Sequence, residues 1–348
     1  MTVQEKKAMD NLDKFISAGG SFNQRDLSGQ RIIHHAAKEG FYNIVKKLLQ
    51  KGAVPDAKSQ FNTQPIHLAA ENGHLAVVQL LLESGAKVDA ADNDGMQPIH
   101  FAVRNGHAEV VKLLISKGAK VDAKINSGAQ PLRMAVISGN SDLVDFLIKL
   151  GADIHAEDKY GHQAIHGVDG GVNTISLMLK SGAKIDAPAK NGEQPIHLAA
   201  RRENFEVLKF LIESGSSIDA KTLAGSRPIH EAAADNNIKG VKLLVSLGAK
   251  IEAQGKDGNQ PIHEISNSLY RDTDHQTIKY LISLGAKVDA ENNDGWQPLH
   301  FAARRGDAAR IQFLISLGAK KSAKTHDGKT PHDVRMKWSP EIDELTKL

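Results

Sequence analysis

A four-residue phrase recurs along the chain, and its period limits what the chain can fold into. The clearest copies are Gln64-Pro65-Ile66-His67, Gln97-Pro98-Ile99-His100, Gln194-Pro195-Ile196-His197, Gln260-Pro261-Ile262-His263 and Gln297-Pro298-Leu299-His300. Their spacing is 33 residues or a multiple of it, apart from one short and one long unit. Because a 33-residue unit cannot bury its own apolar face, neighbouring units must stack. The period therefore predicts one quasi-linear array over residues 1–348, with an extended surface and no closed catalytic pocket.

The composition excludes several classes of function. Lys and Arg number 44 against 41 Asp and Glu, a formal charge of +3, and the two signs are interspersed. No nucleic-acid partner is expected from such a balance. The chain has no cysteine, which excludes disulfides, thiolate nucleophiles and cysteine-bound zinc. With a polar N-terminal segment and no run of 18 apolar residues, we expect a cytoplasmic protein that does not span a membrane.

One unit, residues 92–124, shows the local pattern. The cluster Asp92-Asn93-Asp94-Gly95 predicts a tight turn, and Pro98 suits the first position of a short helix. A second helix is predicted over 108–116, where apolar residues recur at helical spacing before Gly118. The following stretch, Lys120-Val121-Asp122-Ala123, predicts a hairpin-like connection to the next turn.

These residues resemble the ankyrin repeat, whose pattern is a turn ending in Gly, then Thr-Pro-Leu-His, two Ala, Gly-His and a closing Gly-Ala. The resemblance covers nearly the whole chain and implies a mainly α solenoid of helix-turn-helix units joined by β-hairpin-like loops. It predicts an N-terminal cap at 1–25, repeats one to four at 26–157, a shortened repeat five at 158–188, repeats six to nine at 189–324 and a C-terminal cap at 325–348.

Two repeats break the period. Repeat five is two residues short and places three glycines, Gly167, Gly170 and Gly171, in its first helix. Because glycine weakens helices, we interpret this repeat as a possible hinge. Repeat eight is four residues long, and its extra residues lie in the insertion 267–274. A surface loop is predicted there, in which Tyr270 and Arg271 are candidate interface residues or part of a tolerated bulge.

The threonine of the repeat pattern is mostly replaced by glutamine. The substituted positions are Gln64, Gln97, Gln130, Gln163, Gln194, Gln260 and Gln297. Glutamine is a poorer N-cap than threonine, so two interpretations stay open. Either the longer amides bond across neighbouring repeats as a ladder, or proline begins each helix and the glutamine is merely solvated.

No residue pattern predicts catalysis, a metal or a cofactor. Eight histidines occupy the last position of the recurring phrase, and the resemblance implies that each ties a turn to a helix. Equivalent positions in stacked repeats lie about 8–10 Å apart, too far for one zinc ion. The local group His155, His162 and His166 lacks the one-face geometry of a helical zinc pair. A Gly-rich phosphate loop and a nucleophile elbow are both absent from the sequence.

The resemblance implies that turn tips and first helices line a partner-binding groove, whose variable positions are rich in aromatic and arginine residues. The candidate partner-binding residues are Phe61, Met96, Arg104, Tyr160, Arg201, Arg202, Tyr270, Arg271, Trp296, Arg304 and Arg305. The large apolar members are predicted to face solvent. Trp296, Arg304 and Arg305 form the best candidate cluster, because two guanidinium groups beside an aromatic ring suit a carboxylate-bearing partner.

We therefore predict a non-catalytic, monomeric scaffold that holds a protein or acidic peptide. A host-directed effector or adaptor with the same binding mode is an alternative. A nucleic-acid binder is a further alternative, for which strong salt dependence of binding would be the signature.

Overall fold

The computed structural model describes residues 2–202, 204–268, 275–335 and 340–347. Within these ranges the regular structure is helical, as the repeat pattern predicts, and no strand is present. The connections between repeats are turns rather than β-hairpins. Contacts within the chain divide it into two compact units, with the boundary between Ala183 and Lys184. We call them the N-terminal unit and the C-terminal unit and describe each by itself.

The N-terminal unit consists of a capping helix followed by helix pairs. Its helices are α1 (Val3–Ser17), α2 (Ile32–Lys38), α3 (Tyr42–Gln50), α4 (Pro65–Glu71), α5 (Leu75–Glu83), α6 (Pro98–Arg104), α7 (Ala108–Ser116), α8 (Pro131–Ile137), α9 (Ser141–Lys149), two 3₁₀ turns (Ala164–His166 and Val168–Gly170) and α10 (Gly171–Lys180).

The C-terminal unit repeats the same arrangement. Its helices are α11 (Pro195–Arg201), α12 (Phe205–Glu213), α13 (Pro228–Ala234), α14 (Ile238–Ser246), α15 (Pro261–Ser266), α16 (Gln276–Ser283), α17 (Pro298–Arg305), α18 (Ala308–Ser316), α19 (Pro331–Val334) and α20 (Pro340–Thr346).

Within each unit the hydrophobic core is formed by contacts between adjacent repeats. First helices contact the first helices of adjacent repeats, as α4 contacts α6, and second helices contact second helices, as α5 contacts α7. In the second helix α7, Val110, Val111 and Leu114 are at most 1 % exposed, which follows from their helical spacing. Each repeat therefore completes its core only with a neighbour.

Most buried histidines of the recurring phrase join a helix start to the next turn. His100 Nδ1 accepts the backbone N–H of Gln97 at 2.9 Å. Nε2 must then carry the ring proton, and it lies 2.9 Å from the carbonyl oxygen of Ala123. The same two contacts recur at His67, His197, His230 and His263. These rings are neutral structural links, which explains why the residue recurs with the repeat.

The glutamine ladder does not form. No glutamine of this set bonds to another within the described ranges. Gln163 Nε2 and Gln297 Nε2 instead donate to Glu157 and Glu291, each six residues earlier in the chain. At the start of α4 and α6, the backbone N–H groups of Gln64 and Gln97 donate to the rings of His67 and His100. The helices begin with proline and with the histidine ring, so the ladder interpretation was wrong. The glutamines are not merely solvated either, because Gln64 and Gln130 are buried and the other five are half-buried.

Replacing Gln97 by threonine is expected to stabilise the protein by about 1 kcal/mol, because a hydroxyl at this position caps the helix. Thr330, which keeps threonine, accepts from the backbone N–H of Asp333 at 3.4 Å. Urea unfolding of Gln97→Thr measures the gain. Gln297→Thr is the matched comparison and should gain less, since it loses the bond to Glu291. A loss of stability in Gln97→Thr would contradict this account.

Repeat five departs from the helical pair because its glycines approach the preceding repeat. Its first helix is replaced by the two 3₁₀ turns. A Cβ added to Gly170 would lie 1.6 Å from the carbonyl oxygen of Val136 in α8, and one added to Gly167 would lie 3.0 Å from Val136 and Ile137 side chains. Close packing against α8 thus accounts for Gly167 and Gly170, whereas Gly171 meets no atom within 4 Å and takes a φ of 85°. The hinge itself stays a prediction.

Candidate partner-binding surface

The turn tips are held in place by bonds within and between repeats. In repeat three, Asp92 Oδ1 accepts the backbone N–H groups of Asp94 and Met96 at 2.9 and 2.8 Å, and Gly95 takes a φ of 76°. The backbone N–H of Asn93 donates to the carbonyl oxygen of Phe61 in the previous tip at 3.1 Å. Equivalent bonds join neighbouring tips along both units. Tip side chains therefore project from an ordered row.

Two predicted tip residues are exposed as expected. The exposed fractions are 59 % for Phe61 and 56 % for Tyr160. The ammonium group of Lys159 lies 5.3 Å from the Tyr160 ring centroid. Sequence analysis missed two further apolar tip residues, Leu27 and Leu223, which are 103 % and 73 % exposed. The signal was available, because both occupy the second position of a tip turn.

Met96 is a correction to the prediction that the large apolar candidates face solvent. It is only 9 % exposed, because the residue after the turn glycine points towards the first helix of its own repeat. Its Sδ lies 4.0 Å from Arg104 Nη1. Arg104 also lies over the Phe101 ring, 5.3 Å from its centroid, and its Nη2 is 3.1 Å from Glu71 Oε1. Arg104 is exposed but internally ion-paired.

Arg201 lies between two carboxylates of the C-terminal unit. It pairs with Glu193 and, at 2.8 Å, with Glu231 Oε2. Burial opposes the charge of Arg201, but Glu231 and Glu193 outweigh it and raise the pKa of the guanidinium. Arg202, which caps the end of α11, is exposed.

An acidic cavity of about 250 Å³ follows in repeats seven and eight. Its lining includes Ser226, Glu231, Asn259 and Glu264. Ser226 Oγ donates to Glu231 Oε1 at 2.7 Å, and Asn259 Nδ2 donates to Glu264 Oε1 at 3.0 Å. Burial raises the pKa of Glu264. The lining thus contains three acidic side chains, Glu231, Asp257 and Glu264, against one lysine, Lys256.

Trp296, Arg304 and Arg305 lie close together in repeat nine. The Arg304 guanidinium lies 4.9 Å from the Trp296 ring centroid and 5.3 Å from that of Phe301, and the two aromatic rings are 5.2 Å apart. Trp296 is half-buried, whereas Arg304 and Arg305 are exposed. Burial and the neighbouring Arg305 lower the pKa of Arg304, which Glu264 opposes. We call these three side chains the Trp–Arg cluster.

The first residues of the insertion contact this cluster. Asn267 Oδ1 accepts from Arg304 Nη2 at 3.2 Å, and the carbonyl oxygen of Asn267 accepts from Arg305 Nε at 2.7 Å. The carbonyl oxygen of Ser268 accepts from the buried Arg310 at 3.0 Å. Sequence analysis did not single out Asn267. The candidates Tyr270 and Arg271 lie outside the described residues.

The described part of the chain shows no group of three or more His, Cys, Asp or Glu side chains that could hold a metal ion. The rings of His162 and His166 are 5.2 Å apart, and His162 Nδ1 lies 3.5 Å from Asp158 Oδ2. Arg133, which replaces the repeat histidine, lies 3.6 Å from the same carboxylate. A guanidinium in this position disfavours a second cation. None of the described helices combines the length and apolar character needed to cross a membrane.

Family models of ankyrin repeats match most of the chain. A model described as ankyrin repeats in many copies matches residues 66–115, 109–148 and 270–315. A model of three ankyrin copies matches 162–255, and a single-repeat model matches 28–60. Comparison with curated proteins gives no match. The matched segments include Trp296, Arg304 and Arg305, whereas the exposed tip residues Phe61 and Tyr160 lie just outside them.

Proposed function

Because the chain belongs to the ankyrin repeat family, whose repeats are generally non-catalytic protein–protein interaction modules, we propose that it is a binding scaffold for a partner protein. The partner contacts turn tips and the ends of first helices. In the C-terminal unit this surface includes the Trp–Arg cluster, which receives an acidic segment of the partner. Action as a monomer in the cytoplasm stays a prediction.

The observation that carries this proposal is the assembly of the Trp–Arg cluster from two separate elements. Trp296 comes from the turn, and Arg304 and Arg305 come from the end of α17, which is eight residues long. Stacking on Trp296 and Phe301 holds the Arg304 guanidinium in one orientation, which reduces the entropy lost on binding. Trp and Arg are also the residue types that most often dominate interface energetics.

The charges of the neighbouring repeats support a protein rather than a nucleic acid as the partner. Glu231 and Glu264 line the adjoining cavity, and Arg201 is already paired with Glu193 and Glu231. A phosphate backbone would meet repulsion there. A protein segment can present an acidic group to the Trp–Arg cluster and neutral or basic groups to its surroundings.

Substitution of the Trp–Arg cluster is expected to reduce partner capture at least about tenfold, equivalent to about 1.4 kcal/mol. Trp296→Ala, Arg304→Gln and Arg305→Gln are compared with the unchanged chain in pull-downs from cell extract, with bound proteins quantified. Gln312→Ala, on the exposed side of α18 in the same repeat, is the control and should capture normally. Undiminished capture by all three variants would refute the proposed surface.

A further inference from the structure

Three arginines occupy the same position at the end of a first helix, and their surroundings differ. Arg104, Arg201 and Arg304 each lie six residues after the proline that begins the helix. Arg104 pairs with Glu71 of the preceding repeat at 3.1 Å, and Arg201 pairs with Glu193 and Glu231. Arg304 is in no ion pair among the described residues. The chain thus provides an internal carboxylate for two of these three arginines.

The difference at Arg304 is traceable to one residue. Glu71 lies six residues after Pro65, and Asn267 lies six residues after Pro261, so the two are equivalent. Arg104 Nη2 lies 3.1 Å from Glu71 Oε1, and at the equivalent position Arg304 Nη2 lies 3.2 Å from Asn267 Oδ1. The geometry of the pair is kept, but an amide replaces the carboxylate. The hydrogen bond remains and the charge neutralisation is lost.

Arg305 adds a second positive charge beside Arg304. Its Nε lies 3.1 Å from Asn267 Oδ1, so two guanidinium groups converge on one neutral side chain. Glu264 is an acidic side chain whose charge favours ionised Arg304, but among the described residues it forms no ion pair with Arg304 or Arg305. Two exposed positive charges around an amide form a receptor for an oxyanion.

We propose that Asn267 determines partner specificity by giving Arg304 and Arg305 an amide where Arg104 has a carboxylate, so that an Asp or Glu carboxylate of the partner pairs with both. This inference rests on the proposed function of the Trp–Arg cluster. A carboxylate fits because it accepts two parallel N–H bonds from a guanidinium in one plane. Asn267 is a specificity-determining residue here, and Trp296 holds the guanidinium in position.

To test this inference, a carboxylate is introduced at position 267 by substitution. Asn267→Glu supplies an internal partner to Arg304, whereas Asn267→Gln has the same shape without the charge. The probes are fluorescein-labelled hexaglutamate and hexaglutamine peptides, measured by fluorescence anisotropy at low salt. We expect hexaglutamate to bind the unchanged chain and Asn267→Gln, to bind Asn267→Glu at least about tenfold more weakly, and hexaglutamine not to bind. Thermal unfolding confirms that both variants fold.

Equal binding of hexaglutamate to Asn267→Glu and Asn267→Gln would overturn the inference, as would failure of hexaglutamate to bind the unchanged chain. Glu71→Gln is the reciprocal variant, because it removes the internal carboxylate of Arg104 in the N-terminal unit, and it should not weaken hexaglutamate binding. Pull-downs separate the two proposals. If Trp296→Ala loses its captured protein but Asn267→Glu keeps it, the proposed binding surface is supported and the proposed carboxylate contact is refuted. If neither variant changes capture, the proposed function is refuted.

Discussion

Acidification from pH 7.5 to pH 5 is expected to unfold the protein steeply, because its repeats depend on neutral buried histidines. Burial lowers the pKa of His34, His67 and His100 in the N-terminal unit below the ordinary value of 6.5. The same holds in the C-terminal unit for His197, His230, His263 and His300. Protonation would also abolish the acceptor at Nδ1 that binds the helix start.

The direction of the effect follows from proton binding. Below about pH 6.5 the unfolded chain takes up protons on these histidines while the folded chain does not, so the free energy of unfolding falls as pH falls. Each such histidine contributes up to about 1.4 kcal/mol per pH unit until its folded pKa is reached. Burial raises the pKa of Asp235 and Glu264, which gives an opposite slope, but those groups start from ordinary values of 3.8 and 4.5.

Urea unfolding at half-unit pH intervals, followed by circular dichroism, measures this dependence. His100→Gln should be less stable than the unchanged chain at pH 7.5 and should show a shallower pH slope, since one proton site is removed. His155→Gln is the control, because His155 is exposed on the surface, and its profile should match that of the unchanged chain. A free energy of unfolding that stays constant between pH 7 and pH 5.5 would contradict the proposed role of the rings.

Gly170→Ala is expected to destabilise the N-terminal unit by about 3 kcal/mol or more, because there is no space for a methyl group. The added Cβ would lie 1.6 Å from the carbonyl oxygen of Val136 and 2.7 Å from its carbonyl carbon. Both are backbone atoms of α8, so relief requires the two repeats to separate. Chemical denaturation of the purified variant measures the loss.

Gly255→Ala is the matched control. An added Cβ there meets no atom closer than 3.6 Å, and Gly255 does not have the positive φ that makes side chains strained. Its stability should change by less than about 1 kcal/mol. If Gly170→Ala were as stable as Gly255→Ala, the close packing of repeat five would be wrong, and a weakly packed hinge would become the better explanation of its glycines.

The repeat architecture could be predicted from the sequence because it is set by periodic local signals. Proline begins most of the first helices, glycine ends the turns, and apolar residues mark the buried faces of both helices. Repeat five was less predictable. Considered alone, its glycines indicate a weak helix. Their role in packing depends on the position of α8, and the local sequence pattern does not specify that position.

The repeat pattern predicted where the candidate surface lies, but only partly which side chains pair with each other there. The exposure of Phe61 and Tyr160 and the grouping of Trp296 with Arg304 follow from their places in the repeat. The burial of Met96 was missed, because the residue after the turn glycine points towards its own first helix, where Met96 Sδ lies 4.0 Å from Arg104 Nη1. Ion pairs between repeats, which decide whether an arginine has a free charge, require distances that a repeat pattern alone does not supply.

The fixed tautomer of the buried histidines also makes them spectroscopic reporters. A ring proton on Nε2 that is bonded to a carbonyl and shielded from water exchanges slowly, so each ring should give its own downfield nitrogen-bound proton resonance. Because these rings are spaced through both units, the order in which their signals disappear on warming would show where the repeats first separate. The buried histidines thus report local unfolding of individual repeats without any attached label.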